Sequence, residues 1–332
     1  MSAPVIAMPR DDGLPGTLVE FAVRFADEDA CAQVLRRWKY GDGGFRCPRC
    51  GGARAWYLPS RRLDECRACH HQAALTAGTV MHGSRKPLRT WFLAIYLFVQ
   101  SKQGISALEL QRELDFGSYQ TAWAWLHKLR RSVGMRDTTQ LAGAVEADET
   151  WEGGLHQGHP GRPTVGEKKA LVAAAVEVSR DRKHWGRVRL TSIGSGSSES
   201  LGEFLAEHVA KGSTLFTDDW RSYRRPAREL EFEHVAVNVS KSKRQAHEVL
   251  PAVHRVFSLL HRVLISTYQG GVRRKHLPLY LAEFEFRFNR RNSSSRGLLF
   301  QRALASAVKR RPAFYWEIVG RPDAKTPLRA VA

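Results

Sequence analysis

The sequence predicts an α+β chain of several domains, and three observations predict it. Four cysteines stand as two close pairs in the first quarter of the chain. A stretch of helical periodicity follows them. After about residue 141 the pattern turns to short apolar runs, two of which end in acidic residues. The 332 residues are 43% hydrophobic and 10% aromatic, which is enough to bury sizeable cores and excludes a globally disordered chain. Fifty-two Lys and Arg stand against thirty-three Asp and Glu, a net charge of +19. A surplus of that size favours a polyanionic partner, with DNA or RNA first and a membrane surface as the alternative.

The cysteine pairs are Cys47-Pro-Arg-Cys50 and Cys66-Arg-Ala-Cys69. Two such knuckles at this separation turn four thiolates toward one point, the pattern of a structural zinc ribbon with no open position for chemistry. Disulfides are the alternative, and they fit a basic protein of a reducing compartment poorly. Cys31 stands apart as a core cysteine, and His70 and His71 are expected as polar neighbours rather than ligands. The segment between the knuckles carries Arg54, Trp56, Tyr57, Arg61 and Arg62, a mixture that suits phosphate contact or an ordinary hairpin face.

Helical periodicity begins at Pro87, with Leu88, Trp91, Phe92, Ile95, Tyr96 and Val99 recurring at three and four residues. Gly104 ends that run, Ser106 caps a second helix to Leu114, and a turn over 115–118 leads into a third helix, about Tyr119 to Val133. Helix, short turn and helix form the helix-turn-helix plan. Tyr119, Gln120 and Thr121 are the expected base readers at the start of the second of its helices, and Lys128, Arg130 and Arg131 the expected phosphate contacts. An ordinary packed helical hairpin is the alternative.

The third region reads as strands over Ala144 to Asp148, Ala170 to Val178 and Gly186 to Ile193. A helix over Leu201 to Ala210 follows, then short strands over Thr214 to Thr217 and near His234 to Val237. Two helices close the region, about Leu250 to Ile265 and Lys275 to Asn289. That succession fits a mixed sheet flanked by helices. Asp148 ends one strand, and Asp218 and Asp219 end another. Carboxylates at neighbouring strand ends can share divalent ions such as Mg²⁺, the arrangement used for in-line phosphoryl displacement.

These residues carry a resemblance. The chain resembles bacterial insertion-sequence transposases of the ISXO-like group, which join an N-terminal zinc ribbon to an RNase H-like catalytic domain. The matching pieces include Cys47-Pro-Arg-Cys50-Gly51, Lys86-Pro-Leu-Arg-Thr-Trp-Phe92, Val145-Glu-Ala-Asp-Glu-Thr150 with Gly153 and Gly154, Thr217-Asp218 with Trp220 and Tyr223, Phe257-Ser-Leu-Leu260 and Glu283-Phe-Glu-Phe-Arg-Phe-Asn-Arg-Arg291. The resemblance implies Asp148 and Asp218 as the first two metal-binding carboxylates, with the Thr-Asp-x-Trp pattern favouring Asp218 over Asp219. It places the third catalytic position, usually glutamate and in some branches asparagine or histidine, at His254. Imidazole suits Mn²⁺ better than it suits the harder Mg²⁺. His261 occupies a place seven residues later where the group often has lysine. Glu248 is a possible stand-in acid, and Glu149 and Glu152 are expected around the site or in solvent.

The expected organisation is a lead segment over 1–40, the ribbon over 41–75, the helix-turn-helix region over 76–137, the RNase H-like domain over 141–300 and a basic tail over 301–332. Arg273, Arg274 and Lys275 open the last long helix of the catalytic domain. Cations there oppose the helix dipole, so DNA is their expected partner. The function expected is a DNA transposase that binds terminal inverted repeats, hydrolyses 3′ strand ends with Mg²⁺ or Mn²⁺ and joins them to target DNA, assembled as a homo-oligomer across two ends. The alternative is a catalytically decayed copy that only binds DNA. No long apolar run and no secretory leader are expected, which points to a cytoplasmic, nucleoid-associated protein.

Overall fold

A computed structural model describes residues 14–134, 139–152, 169–238, 245–293 and 295–320. The chain divides into two units, one built from residues 1–133 with 293–332 and the other from 134–292.

The first unit begins with two helices inside the expected lead segment. Helix α1 (Leu18–Arg24) starts with a capping box in which the Thr17 hydroxyl accepts from the Glu20 N–H and the Glu20 carboxylate accepts from the Thr17 N–H. Helix α2 (Glu28–Tyr40) is capped by Asp27, which accepts from the Ala30 N–H. The ribbon follows as three short antiparallel strands, β1 (Ala55–Leu58), β2 (Leu63–Cys66) and β3 (Gln72–Ala74), in that order across the sheet. Asp64 of β2 ties the ribbon to α2. It is fully buried, and it accepts from Arg36 Nη2 at 2.6 Å and from the Tyr40 hydroxyl at 2.8 Å. A buried carboxylate tolerates such a place only with a cation and donors of this kind.

Three helices come next, α3 (Leu88–Gln100), α4 (Ala107–Glu113) and α5 (Tyr119–Val133). Pro87 has no side chain able to cap α3, so Glu28 does it from α2, accepting from the Leu88 and Arg89 N–H groups at 2.9 and 2.8 Å. Trp91 of α3 and Trp125 of α5 stack with ring centroids 3.5 Å apart.

The second unit is a five-stranded mixed sheet with helices on both faces. Its elements in chain order are β4 (Ala144–Glu152), β5 (Ala170–Val178), β6 (Trp185–Ile193), α6 (Ser198–His208), β7 (Thr214–Asp218), α7 (Arg224–Glu229), β8 (Glu233–Val237), α8 (Ala246–Val249), α9 (Pro251–Ser266) and α10 (Leu277–Phe288). The strand order is β6-β5-β4-β7-β8; the first three strands run antiparallel, and β4, β7 and β8 run parallel. This is the mixed arrangement that the RNase H-like resemblance implies. Strand β5, between β6 and β4, is apolar at almost every position because both its faces are covered. Val172, Ala174 and Val176 pack toward Val253, Val256 and Leu260 of α9, while Leu171, Ala173 and Ala175 pack toward Phe204 and Leu205 of α6. Each large apolar side chain buried this way contributes roughly 1.5–3 kcal/mol.

The chain then returns to the first unit through α11 (Arg296–Lys309) and α12 (Tyr315–Val319). Helix α11 starts in the expected catalytic domain and ends in the expected basic tail, yet it packs on α2, α3 and α5. Leu299, Phe300, Ala303, Leu304, Ala307 and Val308 are buried along one side of it. Phe300 sits among the rings of Phe21, Phe25, Phe92 and Tyr96. That cluster joins α1 and α11, far apart in sequence, to α3 in one core. Residues 321–332, and Gly153 and Gly154 of the sequence motif, lie outside the described residues.

Candidate active site and cysteine cluster

The site is built where β7 ends at Asp218 beside β4, which does not stop at Asp148 as expected but runs on to Glu152 because residues 148–152 stay paired with β5. Ala144 pairs with Thr214 and Glu146 with Phe216 in parallel register. Counting two residues further along each strand reaches Asp148, within β4, and Asp218, the last residue of β7, so the two acids stand on neighbouring strands at the same level. Open α/β sheets place their ligand sites at such carboxyl ends of parallel strands.

Glu146, two residues before Asp148, shares its face of β4 and fixes the helix that carries His254. It is fully buried. One oxygen accepts from the Ala252 and Val253 N–H groups at 2.8 and 3.1 Å, in the first turn of α9. The other accepts from Arg182 Nη2 at 2.6 Å and Nε at 3.0 Å. Arg182 also donates to the Val249 carbonyl just ahead of the helix. A carboxylate at a helix N-terminus satisfies free N–H groups and meets the positive end of the dipole. With α9 pinned to β4 there, His254 comes to Asp148: Nε2 and Oδ2 are 3.4 Å apart. Further along the same seam His261 Nδ1 lies 3.3 Å from Glu152 Oε2, and Glu152 is buried rather than in solvent.

Burial, the Glu149 charge and the Asp218 charge push the Asp148 carboxyl up to about 8, against the pull of the Glu149 N–H, which donates to Oδ1 at 2.8 Å. Burial holds the His254 imidazole below the ordinary histidine range, so its neutral, ligating form is favoured. Two carboxylates and a neutral imidazole are a donor set for a divalent ion, whose charge would lower the Asp148 pKa. Among the described residues, however, the four cysteines are the one group of three or more such side chains gathered closely enough to share an ion.

The neighbouring acids are engaged elsewhere. Glu149, on the opposite face of β4, accepts from the buried Tyr223 hydroxyl at 2.9 Å. Asp219 accepts from Arg224 at 2.7 Å and from Asn238 at 3.0 Å, whereas Asp218 accepts from the Trp220 N–H. Glu248 is exposed on α8, ahead of α9, and accepts from the Gln245 N–H.

In the ribbon, Cys47 and Cys69 have their sulfurs 3.6 Å apart, as do Cys50 and Cys66, and all four lie within 4.8 Å of one another. A Zn–S bond of about 2.3 Å gives a tetrahedral sulfur–sulfur edge of roughly 3.8 Å, so the cluster fits structural Zn²⁺. The first knuckle needs its glycines. Gly51 has φ 73°, and a Cβ on Gly52 would lie 3.2 Å from the Cys66 sulfur and 3.3 Å from that of Cys50. Cys31 is buried in α2, and burial first of all pushes its thiol up to about 12. His70 lies 3.2 Å from Glu65.

The expected DNA contacts divide. Tyr119 and Gln120 are exposed at the start of α5, and Thr121 is half-buried against Ser118, which caps the helix through the Thr121 N–H. Most of the remaining helix is covered, on sides that include α3, α4 and α11. Arg130 is only 1% exposed, which removes it from the phosphate contacts: a guanidinium inside the fold cannot meet a DNA backbone. Lys128 is half-buried over the Trp91 ring, and Arg131 faces Glu317 at 3.8 Å. In the second unit Arg273, Arg274 and Lys275 are exposed on the turn before α10, which itself begins at Leu277.

Residues 140–289 match the ISXO2-like transposase domain and residues 26–72 the transposase zinc-ribbon domain, together more than half of the chain. Over 215 residues the chain is 25% identical to an "Uncharacterized protein in transposable element ISH50" of Halobacterium salinarum, a similarity that covers 60% of this chain and 70% of that protein. No helix among the described residues is long and apolar enough to cross a membrane. With the cysteine cluster inside one match and Asp148, Asp218 and His254 inside the other, the chain belongs to the ISXO2-like transposases that carry a zinc ribbon.

Proposed function

We propose that the chain is a DNA transposase whose first unit recognises the ends of its mobile element and whose second unit cuts and joins strands at Asp148, Asp218 and His254. The observation that carries this is the placement of His254 at 3.4 Å from Asp148, with Asp218 one strand over at the same level. Asp148 and Asp218 would hold Mg²⁺ or Mn²⁺ together with His254. A bound divalent ion supplies the positive charge that lets a phosphodiester sit beside two carboxylates, and it favours the attacking oxygen.

Two displacements at phosphorus follow. Water attacks the bond at the element end and the element's 3′-OH leaves. That 3′-OH then attacks a target phosphodiester and a target 3′-OH leaves. Neither step requires a bond between protein and DNA. End recognition would use Tyr119, Gln120 and Thr121, with Lys128 and Arg131 on phosphates, and Arg273, Arg274 and Lys275 would hold DNA backbone on the second unit. Two ends must be processed together, so a homo-oligomer is the working form.

A second reading is a decayed copy that binds ends without cutting. The observation in its favour is His254, a poorer ligand for a hard ion than a carboxylate. Incubating the protein with a labelled element end in Mg²⁺ or Mn²⁺ separates the two readings. Cutting by wild type but not by Asp218→Ala supports the transposase. Tight end binding with no cutting in either ion supports the decayed copy.

A further inference from the structure

Outside both family matches, the corner between α11 and α12 reads Lys309-Arg-Arg-Pro-Ala-Phe-Tyr-Trp316, three cations followed after two residues by three aromatics. The fold gathers more charge there. Arg131, at the end of α5, and Arg311 both reach the single carboxylate of Glu317, at 3.8 and 3.0 Å. Arg310 lies near enough to both arginines that, after burial, they are what lowers its pKa. Its Nε is buried with no hydrogen-bond partner among the described residues. Arg131 and Arg311 share one carboxylate and Arg310 adds a third guanidinium near them, so the corner carries a positive excess that favours an external anion.

The aromatics beside this cluster are open. Phe314 is 45% exposed and Tyr315 50% exposed. Phe314 is held in place by the Trp316 ring, parallel to it within 3° at 6.1 Å, and by the edge of His82 at 6.2 Å. Its backbone N–H donates to Glu317 at 2.9 Å, closing the first turn of α12. An isolated exposed ring is ordinary. Two exposed rings on one turn, Phe314 with neighbouring rings beside it, next to an arginine cluster match the pairing of stacking platform and phosphate contacts used for unpaired nucleic-acid strands.

We propose that this corner is a binding site for single-stranded DNA, with Arg310, Arg311 and Arg131 on the phosphates and Phe314 and Tyr315 stacking on unpaired bases. Duplex DNA satisfies only the first half, because its bases are already stacked. The site does not depend on Asp148 or on cutting.

The test uses the full chain and fluorescence anisotropy with oligo(dT) of about twelve nucleotides, against a duplex of equal length. The Phe314→Leu/Tyr315→Leu variant keeps apolar bulk and removes the rings. It is expected to bind oligo(dT) about tenfold more weakly with duplex affinity unchanged. Glu317→Gln keeps the helix cap and removes the lone carboxylate; it is expected to bind oligo(dT) several-fold more tightly, a gain that misfolding cannot produce. Unchanged oligo(dT) affinity in the leucine variant, or equal losses on oligo(dT) and duplex, overturns the proposal, as does weaker oligo(dT) binding by Glu317→Gln.

Discussion

His254 Nε2 stands 3.4 Å from Asp148 Oδ2, close enough for an ion pair but outside the geometry of a hydrogen bond. In the proposed centre a divalent ion takes both atoms as ligands. Metal preference follows. Wild type is expected to cut element ends faster in Mn²⁺ than in Mg²⁺, and His254→Glu is expected to narrow or reverse that ratio, measured as initial cleavage rates in each ion. An unchanged ratio in His254→Glu would remove His254 from the ligand set.

The position of His254 depends on Glu146, whose carboxylate joins β4 to the first turn of α9 and to Arg182. Glu146→Ala leaves the buried part of Arg182 and two helix N–H groups without their acceptor. It is expected to destabilise the second unit by about 3–5 kcal/mol, read from denaturant unfolding. Glu146→Gln keeps an acceptor for the N–H groups, so a smaller loss is expected there.

Stability should also depend on pH through Asp148. Burial and the charges of Glu149 and Asp218 push its carboxyl up to about 8. An acid raised in this way binds its proton more tightly when folded than when unfolded. Between the ordinary aspartate value and about 8 the folded state holds the extra proton, so the stability of ion-free protein falls as pH rises through that window. Asp148→Asn removes this titration. Its second unit is expected to melt several degrees above wild type at pH 8, at about 2–4 °C per kcal/mol, with the difference gone near pH 4. Equal melting temperatures at pH 8 would contradict the burial of an uncompensated charge.

The ribbon predicts one zinc per chain, held by Cys47, Cys50, Cys66 and Cys69. Removing the metal with a strong chelator, or replacing Cys50 with Ser, is expected to unfold the ribbon strands and leave the mixed sheet folded. Native mass spectrometry counts the ion, and hydrogen exchange localises the unfolding. Protection of 55–74 that survives chelation would count against a metal-dependent fold.

Much of the second unit was legible because its signals are local. The strand over Ala170–Val178 is an apolar run whose bounds coincide with expectation, and Asp218 stood out as an acid at a strand end, whereas β4 runs four residues past the end expected at Asp148. His254 was reachable only through the family register, since a lone histidine on a helix carries no chemistry of its own. What escaped depends on partners distant in sequence. Glu146 reads as one more polar residue before a strand end until Ala252, Val253 and Arg182 are beside it. Arg130 carries the same charge as its neighbour Arg131, and only the packing around α5 separates the buried one from the half-exposed one. Helix α11 did leave a readable trace, the four-residue recurrence from Leu299 to Val308, but its basic flanks suggested a tail. The caps of α1 and α2 were equally readable, in Thr17 with Glu20 and in Asp27.

The most direct measurement is single-turnover cleavage of a labelled element end by wild type, Asp148→Ala and His254→Ala in Mg²⁺ and in Mn²⁺, with end binding measured in parallel. The expected result is cutting by wild type and none by Asp148→Ala, with a loss in His254→Ala that is larger in one ion than in the other, while all three bind the end equally. Cutting that persists in Asp148→Ala, or wild type that binds the end and cuts in neither ion, would contradict a catalytic centre formed by Asp148, Asp218 and His254.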